Sequence, residues 1–239
     1  MKVLAVIPSR YDSSRFPGKP LIDLKGKSMI QRVYEACLNC KEFYDVIVAT
    51  DDERIFKHVE GFGGKAMMTS KNHKSGTDRC AEVLNKYSAG KIDVVLNVQG
   101  DEPLVKNEQF NRILSCFKSP DVKIATLGKK GLKKQAANNR NRVKVVCDSN
   151  NFALYFSRSP IPHQENTDAE YIKHIGLYAF RSEILKEITQ LKPSILEKIE
   201  SLEQLRWMEA GYKIKVAYTD IETPNIDTTD DVEKVLELL

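Results

Sequence analysis

Three cations fall within ten residues near the start of the chain: Arg10, Arg15 and Lys19, in the stretch Pro8-Ser-Arg-Tyr-Asp-Ser-Ser-Arg-Phe-Pro-Gly-Lys19. The stretch is dense in hydroxyls. Its one glycine, Gly18, lets backbone approach a ligand closely, and Pro17 and Pro20 stiffen the segment around it. These residue types suit a polyphosphate. A lysine supplies a compact charge near the inner phosphates, and arginines grip the outer ones with two parallel hydrogen bonds. Two carboxylates suit a metal beside that polyphosphate, although an aspartate at a strand end reads equally as a turn former or a helix cap. Asp101 follows Asn97-Val-Gln-Gly, and Asp227 follows Thr223-Pro-Asn-Ile just before the last helical stretch. Mg²⁺ takes one or two protein carboxylates together with phosphate oxygens and water. Glu102, next in line, reads equally as a supporting partner or as a solvated neighbour.

Such side chains need a frame. The run Val3-Leu-Ala-Val-Ile7 reads as a buried strand that empties into the cationic loop, and Val94-Val-Leu-Asn-Val98 does the same before Asp101. Loops at the C-terminal edge of an open α/β sheet are where such folds bind ligands. The loop matches neither the GxGxxG nor the GxxxxGK[ST] pattern. Apolar runs alternate with helical periodicity along the whole chain, which predicts an α/β fold, a mixed and mostly parallel sheet flanked by helices. Strands are expected over 2–8, 45–50, 65–68, 93–98, 123–126, 143–148, 152–157, 173–180 and 213–217. Helices are expected over 28–39, 52–62, 77–86, 107–117, 182–190, 197–210 and 229–238. The organisation predicted is a single domain: residues 1–127 and 194–239 form a nucleotide-binding core, and 128–193 form a smaller inserted lobe that covers the substrate and builds a dimer contact.

Further along lie polar residues of a second kind. Ser75-Gly76-Thr-Asp-Arg79 opens a helix, and its hydroxyl and free N–H groups serve either as an ordinary cap or as a nucleotide contact. Arg158 suits a carboxylate. His174 and Tyr178, four apart on the predicted strand 173–180, share a face there; they read as satisfied, half-buried rings or as the lining of a cavity. The predicted helix 197–210 sets Glu200, Glu203 and Gln204 on nearby faces. Glu203 fits an ion pair as well as a hydrogen bond to a ligand hydroxyl. His174 is a candidate general base, although activation of the attacking hydroxyl by a metal makes a base unnecessary.

Composition bounds the rest. With 41% hydrophobic and 29% charged residues the chain reads as a soluble globule. No apolar run approaches the roughly 20 residues of a membrane span, and no segment reads as a signal peptide, so a cytoplasmic protein is expected. Five cysteines, an odd number, fit a reducing compartment. Cys37 and Cys40 form a CxxC without a second pair, which reads as two structural thiols. A net charge of +4 does not imply nucleic acid. The charge is uneven, however: residues 128–144 hold seven cations, no acid and no interleaved aromatic ring. That run is either a solvated loop or a rim that draws anionic substrates inward.

Arg10-Tyr-Asp-Ser-Ser-Arg15-Phe-Pro-Gly-Lys19-Pro-Leu resembles the signature of the sugar nucleotidyltransferases, in particular the sugar-acid cytidylyltransferases. Ser75-Gly-Thr-Asp-Arg79, Asn97-Val-Gln-Gly-Asp101-Glu-Pro, Ala153-Leu-Tyr-Phe-Ser-Arg158, Lys173-His-Ile-Gly-Leu-Tyr178, Leu202-Glu-Gln-Leu-Arg206 and Ile226-Asp-Thr-Thr-Asp-Asp recur in the family's order. Together they resemble the branch that acts on 3-deoxy-manno-octulosonate (Kdo), over nearly the whole chain. The resemblance implies a Rossmann-like fold with an insertion, a homodimer, and a cytoplasmic, Mg²⁺-dependent transfer of CMP from CTP to Kdo for lipopolysaccharide biosynthesis. It implies Asp101 and Asp227 as metal ligands, and Lys19 with them as the catalytic set. Arg10, Arg15, Gly18, Lys19, Ser75, Gly76, Gln99 and Gly100 fall on the nucleotide side, and Arg158, His174, Tyr178, Glu203 and Gln204 on the sugar side. Cytosine specificity rests on the resemblance alone. Transfer to 8-amino-Kdo or a sialic acid is the alternative; a non-catalytic nucleotide-binding protein and a nucleic-acid module fit the motifs less well. Three positions depart from the family: Asn138-Asn-Arg-Asn-Arg142 lacks its usual proline, Ser9 stands where an alanine is common, and Trp207 is unusual in its helix and reads as core.

Overall fold

The computed structural model describes residues 1–12, 16–166, 169–226 and 228–239. It is α/β, with mixed, mostly parallel β-structure flanked by helices. The chain divides into two compact units, Met1–Glu108 with Thr223–Leu239, and Gln109–Glu222.

The first unit is built on β1 (Val3–Ser9), β2 (Asp23–Leu24), β3 (Lys27–Ser28), α1 (Met29–Leu38), β4 (Phe43–Thr50), α2 (Glu53–Gly61), β5 (Ala66–Met68), α3 (Gly76–Lys86) and β6 (Val94–Asn97). Strand β1 pairs in parallel with β4 on one side and β6 on the other, and β5 extends β4. A strand paired on both sides, in a parallel sheet covered by helices, is apolar throughout. Val3 to Ile7 and Val94 to Leu96 are accordingly fully buried. All four strands run the same way, so the segments after β1 and β6 leave from one edge. Helix starts are fixed locally: Ser28 accepts a hydrogen bond from Gln31 N at the start of α1, and Ser75 and Asp78 form a reciprocal capping box on α3.

The second unit holds most of α4 (Asn107–Ser115), then β7 (Ile124–Leu132), the single turn α5 (Lys134–Ala137), β8 (Lys144–Cys147), β9 (Ala153–Ser157), β10 (Tyr171–Arg181), α6 (Ser182–Ile188), α7 (Ile195–Glu200), α8 (Gln204–Glu209) and β11 (Ile214–Tyr218). Strand β7 lies between β11, parallel, and β10, antiparallel, while β8 pairs antiparallel with both β9 and β10. Helix α9 (Thr229–Leu238) returns to the first unit. There Val235 and Ile226 pack with Leu24 and Met29 in one buried cluster.

Two elements differ from the sequence expectation. The predicted helix 197–210 is broken. Helix α7 ends at Ser201, a non-glycine residue at φ +51°, and α8 starts afresh at Gln204. The turn folds Glu197 back onto Arg206 at 2.5 Å and buries Leu202, Leu205 and Trp207, which one straight helix would have spread around its circumference. The basic run is not a plain loop either. Strand β7 continues through it to Leu132, and α5 follows, because Leu132, Ala137 and Tyr171 close a small apolar cluster beneath it.

Candidate active site

The two parallel strands β1 and β6 deliver their following segments to one cavity of about 440 Å³, lined by Pro8, Ser9, Arg10, Asp12, Lys19, Pro20, Met29, Gln99, Gly100 and Asp101. Lys19 stands in its wall. The ammonium donates to Asp101 Oδ2 at 2.8 Å and to the carbonyl of Ile226 at 2.6 Å. Ile226 N donates in turn to Asp101 O at 2.9 Å. Three distant segments, 17–19, 99–101 and the residue before Asp227, are thereby tied to one cation. Two glycines make the loops possible. Gly18 sits at φ +74°, a left-handed conformation that L side chains rarely adopt, and its N–H donates to Tyr11 O at 2.9 Å. Gly100 passes so near β1 that a Cβ there would lie 2.8 Å from Pro8 O.

The sequence-predicted residues Arg10, Gly18, Lys19, Gln99, Gly100 and Asp101 meet at or beside this cavity, whereas Arg15 and Asp227 lie outside the described residues. Ser75 caps α3, and Gly76 packs over the ring of Pro8, so both flank the strand ends without lining the cavity. Arg79 of the same motif is interior. It is 1% exposed and spends its guanidinium on Asp51, Thr69 and Ser70, fastening the end of β4. Glu102 is buried and accepts from the Thr223 hydroxyl at 3.4 Å. Sequence reasoning missed Asp12 and Ser9 as lining groups. The Ser9 hydroxyl is buried with no hydrogen-bond partner among the described residues. Its signal was available, since a hydroxyl directly after an all-apolar strand leaves a polar atom at the ligand edge.

The sugar-side candidates all fall in the second unit, around β10. His174 and Tyr178 do share a face, with ring centroids 5.3 Å apart. Pairing with β7 slips by two residues between Ile175 and Tyr178, and an even slip preserves the alternation of faces. Phe156 meets His174 edge-on, and Trp207 stands edge-on to both Tyr178 and Phe180. Burial, with a smaller push from Lys173, lowers the His174 imidazolium from 6.5 to about 3, so the ring is neutral, and its Nε2 shares a hydrogen bond with Thr126 Oγ1 at 3.0 Å. Burial, with Glu203 adding, raises the Tyr178 phenol well above 10. Thr126 lies beside that phenol but donates to Leu177 O at 2.7 Å. Tyr178 Oη, Gln204 Nε2 and Trp207 Nε1 are buried without a hydrogen-bond partner among the described residues. Three unmet buried polar atoms on β10 and α8 are costly in a finished core. Trp207 is core, as its sequence context suggested, but core with an unspent N–H.

Arg158 is held tightly. Its guanidinium donates to the carbonyls of Glu200, Ser201 and Arg140, and its N–H to Glu200 Oε2. Glu200 also accepts from Ser157 Oγ, and the buried ammonium of Lys144 donates to Arg158 O. The arginine thus closes the end of α7. Glu203 takes the cap position of α8 and is half-buried. The CxxC thiols are inert: burial pushes Cys37 far up and Cys40 up. Among the described residues no group of three or more His, Cys, Asp or Glu could hold a metal, and no helix is long and apolar enough to cross a membrane.

The strand-edge cavity carries a paired lysine and aspartate, and comparison with known proteins gives the class of protein that holds it. The cytidylyltransferase family model matches residues 4–214, and the chain belongs to that family. A 3-deoxy-manno-octulosonate cytidylyltransferase from Bacteroides thetaiotaomicron is 53% identical, the alignment covering 100% of this chain and 98% of the relative. One from Parabacteroides distasonis is 51% identical, with the same coverage of 100% and 98%. The solved structure of a CMP:2-keto-3-deoxy-manno-octonic acid synthetase complexed with CTP superposes with a TM-score of 0.95 at 45% identity, over 100% of this chain and 98% of that one. Within its family the chain falls among the 3-deoxy-manno-octulosonate cytidylyltransferases.

Proposed function

We propose that the chain transfers CMP from CTP to Kdo, with Lys19, Asp101 and Asp227 as its catalytic residues. The anomeric oxygen of the sugar acid attacks the α-phosphorus, the bond to the β-phosphate oxygen breaks, pyrophosphate leaves, and the hydroxyl proton passes to solvent. The observation that carries this reading is the Lys19 ammonium, fixed between Asp101 and Ile226 O on the cavity wall. A cation already fixed in place need not reorganise as charge develops on the phosphates. Arg10 and Arg15 bind the outer phosphates, and Gln99, Gly100, Ser75 and Gly76 border the nucleoside. The carboxylate of Asp101, beside the phosphate-binding lysine, is the oxygen donor that Mg²⁺ takes together with phosphates, and Asp227 supplies the second. Bound there, the ion would neutralise triphosphate charge and acidify the attacking hydroxyl. His174, neutral and hydrogen-bonded to Thr126, orients rather than deprotonates.

On the sugar side, Tyr178, Gln204 and Trp207 offer polar atoms without partners, and Arg158 and Glu203 complete the set. The Trp207 N–H can only donate, and the Gln204 amide nitrogen only donates as well, so both favour the terminal hydroxyl of Kdo over the ammonium of its 8-amino analogue. The same reading assigns the segment 128–193, which carries Arg158, His174 and Tyr178, as a sugar-binding and dimerising lobe on a core of 1–127 and 194–239. For the homodimer, Ile195 and Ile199, one turn apart on α7 just beyond that segment and 71% and 73% exposed, offer an apolar contact. Five free thiols support a cytoplasmic setting.

The test is pyrophosphate release by the purified protein with Mg²⁺, with CTP, UTP and ATP each offered against Kdo, 8-amino-Kdo and N-acetylneuraminate. Release is expected with CTP and Kdo. Release favouring another sugar moves the substrate, and no release with any pair overturns the reading.

A further inference from the structure

The basic run that the nucleotide chemistry leaves unused folds into a pocket of its own. Lys129, Lys130, Lys133, Arg142 and Lys173 line a cavity of about 260 Å³ in the Gln109–Glu222 unit, over the apolar floor of Leu132 and Ala136. None of these cations lines the cavity around Lys19. They come from four places: the tail of β7, the cap of α5, the turn before β8, and β10. The only acid in the lining is Glu222, which bridges Lys173 at 2.6 Å and Lys129 at 3.2 Å. Glu170 stands nearby, its Oε2 3.6 Å from where a Cβ on Gly131 would lie. Five cations against two carboxylates leave three positive charges in excess. Lys130 lies over the Tyr218 ring at 4.3 Å, while the side chains of Lys133 and Arg142 make no hydrogen bond or ion pair with any described residue.

A solvated charge run spreads its like charges; this one gathers them from separate elements around a concavity. A concave, low-dielectric wall focuses the field of such charges and raises the local concentration of anions. The size and charge narrow the ligand. About 260 Å³ holds a compact anion but no nucleic acid strand, no aromatic ring lines the pocket, and the Tyr218 ring is covered by Lys130. Four compact ammonium groups and one forked guanidinium suit phosphate oxygens, and pyrophosphate matches the excess charge. We propose that this pocket is a second anion site, separate from the nucleotide cavity, that takes a compact, multiply charged phosphate: an inorganic diphosphate or a phosphorylated small sugar. Glu222 is the internal counter-ion that such a ligand meets between Lys129 and Lys173.

The experiment is calorimetric titration of the full-length protein with pyrophosphate, repeated with glucose 6-phosphate, on wild type, on Lys133→Glu/Arg142→Glu and on Lys19→Ala. Neither residue of the double variant belongs to the proposed catalytic set, and Lys133→Arg, which keeps the charge, serves as the folding control. Wild type is expected to show two classes of pyrophosphate site. The double variant loses one class, at least tenfold in affinity, and keeps CTP affinity within twofold; Lys19→Ala loses the other class and keeps the first. The class lost in the double variant also weakens as salt rises from 50 to 300 mM, through screening. Glucose 6-phosphate binding to that class identifies a sugar phosphate as a ligand, and pyrophosphate binding alone identifies an inorganic one. A wild type with no site, or with only the class that Lys19→Ala removes, overturns the proposal, as does a double variant that keeps both classes. Because binding is read without turnover, failure of the Kdo reaction leaves these outcomes unchanged.

Discussion

The two units handle polar chemistry in opposite ways. In the first, the functional groups are charged, partly open to solvent and already paired: the Lys19 side chain is 13% exposed, Asp101 is 26% exposed, and they hold each other at 2.8 Å. In the second, three of the candidate sugar contacts, Tyr178, Gln204 and Trp207, are uncharged, buried and without a hydrogen-bond partner among the described residues, while the charged Arg158 is held by backbone carbonyls. A site for phosphate charge tolerates water, because its ligand arrives hydrated and its cations need counter-charges while they wait. A site for sugar hydroxyls gains selectivity from dry, unmet donors, since an analogue lacking the right hydroxyl leaves them unsatisfied. The difference predicts that substitutions in the first unit act on rate and phosphate affinity, and substitutions in the second on sugar affinity and fold stability.

The harshest test falls on the first unit. Asp101→Asn keeps the shape and removes the charge that faces Lys19 and that the proposed Mg²⁺ would need. Turnover is expected to fall on the order of 10²–10³-fold, the cost of losing one preorganised electrostatic contact to the transition state. Asn keeps an acceptor facing the Lys19 ammonium, so the unfolding midpoint should fall far less than turnover does. Pyrophosphate-release kinetics beside a thermal melt measure both. Near-normal turnover would overturn the proposed metal role of Asp101.

The second unit breaks by acid instead. An unfolded histidine binds its proton below about 6.5, and buried His174 refuses it until about 3. The stability this contributes is fully present above pH 6.5 and is lost as pH falls through 6.5 toward 3, with a slope approaching 1.4 kcal/mol per pH unit. Its immediate neighbours are Thr126, Phe156 and Tyr178, with Lys173 adjacent in sequence. Denaturant unfolding at pH 6.5, 5.5 and 5 should therefore show a shallower pH dependence in His174→Asn than in wild type. The other three histidines remain in both proteins and cancel in the difference. Parallel curves would mean that His174 is hydrated.

Tyr178→Phe separates a packing role from a sugar contact. Deleting an unpartnered buried hydroxyl relieves a cost of about 1–3 kcal/mol, so the variant should match or exceed wild type in stability. If the phenol serves the sugar, KM for Kdo rises about 10-fold while KM for CTP holds, the equivalent of one hydrogen bond. An unchanged KM for Kdo would make the aromatic cluster ordinary core and dissolve the contrast between the units.

How far each site could be read in advance follows the same division. The cationic loop was legible because Arg10, Gly18 and Lys19 sit within one continuous stretch after a strand of unambiguous periodicity. Asp101 was legible because Val94–Val98 is an equally clear strand. Placement of Lys19 against Ile226 was not, since 207 residues separate them and only the return of α9 brings them together. In the second unit the alternation of faces on β10 was readable, and its two-residue slip happened to leave that parity intact. The break at Ser201 was hidden, because helical periodicity runs on through Glu197–Ala210 and only the Glu197–Arg206 pair and the burial of Trp207 overrule it. The basic run looked like loop because it has no apolar face of its own; its strand and turn are held by Tyr171, about forty residues on.

The smallest expected effect bears on the one place where the first unit behaves like the second. Ser9 is buried, unpartnered among the described residues and uncharged, yet it lines the cavity around Lys19. If its hydroxyl donates to the nucleotide, Ser9→Ala raises KM for CTP about 3–5-fold, the worth of a neutral hydrogen bond of about 0.6–1 kcal/mol. KM for Kdo should not move, because Ser9 belongs to the first unit. The melt distinguishes the alternatives: a hydroxyl that is merely buried gives a more stable variant with unchanged KM, whereas a ligand contact gives a more stable apoprotein that CTP stabilises less. The second pattern would show that an unmet buried hydroxyl marks a ligand contact even in a site built on charge, and that what separates the two units is how many such groups each can leave unpaired.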